Sequence, residues 1–535
     1  MTPLADDIRP PSVTMLAVTA SVCAHILSLA VPLALLQTYD RILPNEAYST
    51  TFVLAAGVTV AIILEALLRY GRAVLFAHVG AAFESRMTPR LLDHVLRANG
   101  KAVHALGTPA LSDALRAVGQ VREFWSGSAA ASLHELPFVV IYIGLIAYIA
   151  SWIALIPLAL TVIALIAALL VARAINDAVS DVEATEIDRR NLVWGIFKGI
   201  VEVKAMAAET TMTRRYRDSV AKTMDASARV ENLMALIREN GSLLAQISTI
   251  GVVTAGAFMM VAGQLTTGGL AACTLLAGRS IGPAMGAFSY LARLAHRKGE
   301  ERKIAAVLSL PEAPLWIAGS GEKTFHGGTV GIAGDAIEGS PRSIRQGSVV
   351  HVESLDAVAA TALLEAVAQL DNSLGLTITF DNEPCAAFNC LSIKNRIAMA
   401  TANTELIRGS LLDNLTLFSP QFDAEAIRLT QQLGLAPFVD GLRQGFMTPI
   451  GPAASELVSP GIAVRIDLIR ALVRRPSILC LDEVGGALDL DGTRRLLEIL
   501  KGLKGQTTIF LVSGNPSLLA LADEKIRVTR SPDHD

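Results

Sequence analysis

The 535-residue chain is 52% hydrophobic and 18% charged, with a formal net charge of −3. Its length holds two or three domains, its apolar excess points away from a soluble protein to a membrane one, and its near-neutral charge gives no basic field for nucleic acid. Five cysteines, none in a CxxC pair, argue against a disulfide framework.

In chain order, residues 1–13 carry acids and prolines and make a poor signal-peptide start. Apolar spans follow at Thr14–Leu36, Thr51–Leu68, Ser132–Ala150, Ile153–Val171, Leu243–Ala262 and from Leu270 to near Leu291. Each approaches the ~20 residues that cross a ~30 Å hydrocarbon core. The links after the first, third and fifth spans are short and carry only Arg41 among them; the long links and the stretch after the sixth span are rich in lysine and arginine. The long links and both termini are therefore expected in the cytoplasm. Lys101–Val118 and Asn191–Ala226 have helical apolar spacing, so the spans are expected to continue as helices beyond the lipid. Arg279 and Glu65 are ionisable residues inside spans. Arg279 is expected to face the protein interior; for Glu65, cavity and boundary placements both stay open.

Glu300–Leu310 reads as a charged helix ending a membrane domain over 1–310, and 311–326 as a Pro/Gly/Ser-bearing linker. A soluble domain fills 327–535, opening with strands at Thr329–Ala333 and Ser348–Val352. Within it the apolar run Ser477–Leu481 ends in Asp482 and Glu483. A buried strand that delivers two carboxylates to its C-terminal end suits a nucleotide site, where they hold magnesium and activate water; the alternative is a strand followed by a helix N-cap.

Several stretches together resemble the ATP-binding cassette (ABC) exporter half-transporters of type I secretion systems. Gln37–Asn45, reading QTYDRILPN, resembles the segment after their first span; taken alone, Asp40-Arg41 would be an exposed turn ion pair. Ile200–Ala205 with Glu209, Arg214 and Arg215 resembles their second intracellular loop, and Leu276–Pro283, which includes Arg279, their sixth span. Leu472–Asp489 resembles their Walker B and D-loop region, with Asp489 on the dimer face. The resemblance implies an ABC type I exporter fold: six transmembrane helices followed by an α/β P-loop-NTPase-like cassette. It also implies a bacterial inner membrane, an exported protein substrate, a periplasmic adaptor and an outer-membrane channel. Because the first span begins at Thr14, the resemblance is to exporters without a leader-cleaving peptidase domain.

The family's motifs are unevenly kept. The P-loop pattern GxxxxGK[ST], whose glycines and lysine cradle phosphate, falls on Ser354–Thr361. Ser354 and Ala359 replace the glycines, Ala360 replaces the lysine, and only the Thr361 hydroxyl remains, with Glu353 and Asp356 adding negative charge. Ala402 stands at the Q-loop glutamine and Ser513 at the switch histidine. The signature reads Val458-Ser459-Pro460-Gly461-Ile462, keeping a serine and a glycine at a helix start where a partner's ATP could meet them. Carried over, this implies a catalytically impaired subunit of a heterodimer, with Asp482 and Glu483 vestigial and no metal site of its own. A homologous half-transporter with an intact P-loop would bind ATP and Mg, and this chain alone neither. The alternative is a structural or regulatory membrane pseudo-transporter that moves nothing.

Overall fold

The computed structural model describes residues 14–126, 128–317, 321–402, 404–451 and 458–529. The chain divides into two compact units, residues 1–96 with 106–309 and residues 97–105 with 310–535.

The first unit is helical. Its long helices are Tyr48–Arg97, Leu155–Lys198, Glu209–Val261 and Thr267–Leu308, of 50, 44, 53 and 42 residues. At about 1.5 Å per residue, each runs well beyond the ~30 Å of a hydrocarbon core, as the spacing of the long links predicts. Among the described residues, four stretches are long and apolar enough to cross a membrane by length and composition: Thr19–Ile42, Tyr48–Arg97, Pro137–Lys198 and Glu209–Val261. Pro137–Lys198 holds the third and fourth expected spans, joined by a single 3-10 turn at Ser151–Ala154. The sixth expected span falls in Thr267–Leu308, which packs into the bundle through Cys273, Leu276 and Ala277 against Phe138, Tyr142, Ile146 and Val252.

The first span is broken into Thr14–Ser28 and Ala30–Gln37. Pro32 causes this, since it has no N–H to give the Ser28 carbonyl one turn back. After Gln37 the chain makes a π-helical turn, Thr38–Ile42. Here the plain turn ion pair expected of Asp40-Arg41 is corrected. Asp40 Oδ2 accepts from the Thr266 hydroxyl at 2.7 Å and Oδ1 from the Gly268 N–H at 2.8 Å. The carboxylate thus caps the free N–H end of Thr267–Leu308, where a negative charge is favoured.

The second unit is an α/β domain. Its five-stranded parallel sheet has the order Glu524–Val528, Val349–Ser354, Thr508–Val512, Ile478–Asp482, Ile397–Thr401. The central strands are in register as Ile509 beside Val349 and Phe510 beside Cys480. Thr508–Val512 is buried along its whole length, the pattern of a parallel strand covered on both faces. One face packs on helix Ala357–Val367 and an antiparallel sheet containing Val330–Ala333 and Thr377–Phe380; the other packs on helices Leu411–Thr416, Pro460–Leu472 and Leu490–Leu503. Gly347 makes the turn before Val349–Ser354 at φ +82°, with no room for a Cβ beside the Gly505 backbone.

Candidate nucleotide-type site at the strand ends

Strands Val349–Ser354 and Ile478–Asp482 end at the same edge of the parallel sheet, where such folds place their ligand sites. Only Leu355 and Asp356 join Val349–Ser354 to helix Ala357–Val367. Asp356 is the N-cap, and its carboxylate accepts from Val358 N–H at 3.0 Å. The Asp356 carbonyl accepts from Ala359 and Ala360 N–H at 3.1 and 3.3 Å. Two of the first N–H groups of this helix, those of Val358 and Ala359, which a phosphate would need, are thus engaged within the turn itself. Ala359 and Ala360 are buried in the core beneath the helix, while Leu355 stands fully exposed at the turn. Ser354 Oγ accepts from Asp356 N–H at 3.2 Å and donates to the Val528 carbonyl at 3.4 Å, tying the turn to the edge strand. Glu353 reaches Arg527 at 3.2 Å.

Thr361 and Asp482 come together: the threonine hydroxyl donates to Asp482 Oδ2 at 2.9 Å. Asp482 Oδ1 is buried and has no hydrogen-bond partner among the described residues. Burial pushes the Asp482 carboxyl above the usual carboxylate range, and Glu483 beside it pushes the same way against the Thr361 bond. Burial likewise raises Glu365, helped by Asp371, while Lys101 opposes it. The helix N-cap expected as the alternative for the acidic pair is not what these side chains form. Asp482 completes the strand, and Glu483, at φ 51°, precedes the short turn Val484–Gly486 without a side-chain cap bond. Its N–H donates to the Val512 carbonyl at 2.9 Å.

Ala402 N–H donates to the Asp482 carbonyl at 3.1 Å, so that position lies at the same strand end; Asn403 after it lies outside the described residues. Ser513 is buried and its hydroxyl accepts from Asn515 N–H at 3.1 Å. Ser459 is the N-cap of helix Pro460–Leu472, exposed, with its hydroxyl making no cap bond. Gly461 lies one residue into that helix, its Cα facing the Ala487 carbonyl. Asp489 is an N-cap as well: it accepts from Gly492 N–H at 2.7 Å and pairs with Arg465 at 2.5 Å, and these two partners hold its carboxyl below the usual range.

In the helical unit, Glu209 opens helix Glu209–Val261 after a left-handed residue at Ala207, and Arg214 and Arg215 are exposed on its first turns. Arg279 donates to the Ser28 carbonyl at 3.2 Å, and it and Glu65 line one cavity.

The sequence did not reveal Asp467 or the bonds that Arg470 makes. Asp467 is a partly buried carboxylate that accepts from Thr401 N–H at 3.0 Å, and burial raises it. Arg470 donates to the Asn414 carbonyl and side chain at 2.6 and 2.7 Å, bracing helix Pro460–Leu472. The available signal was an aspartate three residues before an arginine, between apolar positions of one helix.

A long-helix membrane unit followed by an α/β unit with a parallel sheet is the architecture of an ABC exporter. The chain belongs to the family described as the ABC transporter transmembrane region, whose model matches residues 14–283. It is 24% identical over 514 residues to the cyclolysin secretion/processing ATP-binding protein CyaB of Bordetella pertussis, covering 94% of this chain and 72% of that protein. It is 23% identical over 509 residues to the alpha-hemolysin translocation ATP-binding protein HlyB of Escherichia coli, covering 92% and 71%. It is 23% identical over 523 residues to the leukotoxin export ATP-binding protein LtxB of Aggregatibacter actinomycetemcomitans, covering 95% and 73%. The fold also matches a bacterial Atm1-family ABC exporter solved with ATP bound, at a TM-score of 0.79 and 15% identity over 96% of this chain and 94% of that one.

Proposed function

We propose that this chain is the catalytically impaired half of a heterodimeric exporter of the type I secretion kind. The observation that carries the reading is the turn at Leu355-Asp356, where Asp356 engages the Val358 and Ala359 N–H groups at the helix start and an alanine stands in the lysine position. Thr361 and Asp482 form a donor pair suited to magnesium, and the orphaned Asp482 Oδ1 would accept it. Their surroundings do not suit a triphosphate. A carboxylate sits on the helix start, Glu353 is nearby, and a lysine is missing. No hydrolytic step is therefore assigned to this chain's own strand ends.

The signature helix supports a different use. In Pro460–Leu472, Pro460 occupies the first position, so Gly461 and Ile462 keep the N–H groups that helix geometry leaves unbonded. With the uncapped Ser459 hydroxyl they form a phosphate-facing end, to be placed against ATP held by a partner half-transporter with an intact P-loop. The partner supplies ATP and Mg chemistry, and this chain supplies half of the path and one signature. The relatives' names, which speak of cyclolysin secretion and alpha-hemolysin translocation, favour a protein substrate. The bacterial inner membrane, the cytoplasmic termini, an adaptor and an outer channel belong to the same reading.

Affinity purification of the tagged protein from its native membranes tests this. The expected result is a stoichiometric second cassette protein bearing GxxxxGK[ST]. Recovery of the chain with only itself would favour the non-transporting pseudo-transporter and overturn the heterodimer.

A further inference from the structure

We propose that the helical unit contains a binding site for a carboxylate group, centred on Arg279 and lying deep within the expected spans. Arg279 is twelve residues from the start of helix Thr267–Leu308, which puts it about 18 Å along the axis. His25 is as far from the end of the first span at Gln37, and Tyr142 lies eight residues, about 12 Å, before Ala150. All three therefore sit near the middle of a ~30 Å core. They line an open cleft of about 470 Å³, in which His25 and Tyr142 are buried and Arg279 is exposed, within the range of small-ligand sites.

The site is built by the break in the first span. Because Pro32 has no N–H, the Ser28 carbonyl is released from the helix and takes one donor of Arg279 at 3.2 Å. Ser28 Oγ donates to the His25 carbonyl at 2.7 Å and lies 3.1 Å from the Tyr142 hydroxyl, which is itself 3.3 Å from His25 Nδ1. His25 stacks on Phe138 with ring centroids 4.0 Å apart. These buried contacts fix His25 and Tyr142 on one wall. The carboxylate on the other wall is already taken: Glu65 pairs with Arg69 at 2.7 Å. Among the described residues Arg279 has no ion-pair partner, and the Ser28 carbonyl uses only one of its five donors.

The lining thus carries two guanidinium groups against one carboxylate. An arginine at this depth requires a counter-charge or water, and its planar fork fits a carboxylate through two parallel bonds. The size suits an acidic side chain of a short or extended peptide rather than a folded domain. This assignment goes beyond the proposed function and stands whether or not the chain takes part in ATP turnover.

The test uses the full chain in phosphatidylcholine nanodiscs, titrated with fluorescent Ala-Glu-Ala and Ala-Gln-Ala peptides and read by anisotropy. The glutamate peptide is expected to bind at least tenfold more tightly than the glutamine peptide. Arg279→Gln, with an unchanged thermal midpoint, should abolish the difference. Glu65→Gln, which releases Arg69, should preserve or increase it. Equal binding of the two peptides by the wild-type protein overturns the proposal even if Arg279→Gln misfolds, as does a preference that survives in a folded Arg279→Gln. Loss of peptide binding in discs containing phosphatidylglycerol would make a lipid headgroup the occupant and overturn the peptide assignment.

Discussion

Thr361 and Asp482, 121 residues apart, are joined by a 2.9 Å hydrogen bond from the threonine hydroxyl to Asp482 Oδ2. The bond links the helix after one central strand to the end of another, and it gives a partly buried carboxylate its side-chain partner. Thr361→Val removes the donor without changing shape. It should destabilise the chain by about 1–3 kcal/mol, the range for a buried polar group left unpaired. Thr361→Ser should be close to wild type. Thermal unfolding of the purified full chain measures both, and a Thr361→Val midpoint equal to wild type would show that the bond contributes nothing.

Restoring motif letters at the P-loop position should fail. The triple replacement Ser354→Gly, Ala359→Gly and Ala360→Lys recreates the pattern, but the helix still starts at Ala357 and Asp356 still occupies the Val358 and Ala359 N–H groups. The introduced lysine gives no rescue, because Ala360 is buried in the core, where an ammonium is strongly disfavoured. Titration with a fluorescent ATP analogue should detect no gain in affinity over the unaltered chain. A gain of tenfold or more would mean that the turn can open into a phosphate loop.

Asp40 predicts an effect in the membrane unit. Asp40→Ala removes the carboxylate that bonds Thr266 and Gly268 at the start of helix Thr267–Leu308. The expected loss is about 1–2 kcal/mol, as for other helix caps. Asp40→Asn should retain much of the stability, because an amide oxygen still accepts one N–H. A lower midpoint in detergent for the alanine variant alone would match this; equal losses for both would assign the effect to charge.

Acid should weaken one exterior ion cluster. Glu425 is held at about 2, chiefly by its bonds to Arg428 and then to Arg475. A depressed carboxyl contributes stability that is present above its unfolded pKa and lost as pH falls toward the folded value. Glu425→Gln should therefore cost up to about 1 kcal/mol at pH 7 and little near pH 2, a small effect because both arginines are half exposed or more. Asp482 and Asp467 are shifted upward and act in the opposite direction, favouring the folded state on acidification. Midpoints for the Glu425 variant across pH 7 to pH 3 check the sign.

The spans, the long helices and three of the strands were legible because each follows from a local pattern, apolar runs, helical spacing and short apolar strands, while the α/β cassette came from the family resemblance. Asp482 was legible as a strand end, but its partner Thr361 lies too far away in the chain for spacing to reveal. Asp489 read as a dimer-face residue; within the chain it caps helix Leu490–Leu503 and pairs with Arg465, a contact set by tertiary packing. Asp40 beside Arg41 looked like a turn pair, because nothing local announces that its carboxylate meets Thr266 and Gly268 across the bundle. The His25–Tyr142 contact was invisible for the same reason, although a histidine and serines inside the first apolar run were a signal that could have been followed.

The most direct test of the central claim is Mg-dependent ATP turnover by the purified full chain, alone and after reconstitution with a partner half-transporter bearing an intact P-loop. The chain alone should stay at background, and the pair should turn over ATP in a way that Ser459→Arg on this chain suppresses. Robust Mg-dependent hydrolysis by the chain alone would contradict the account.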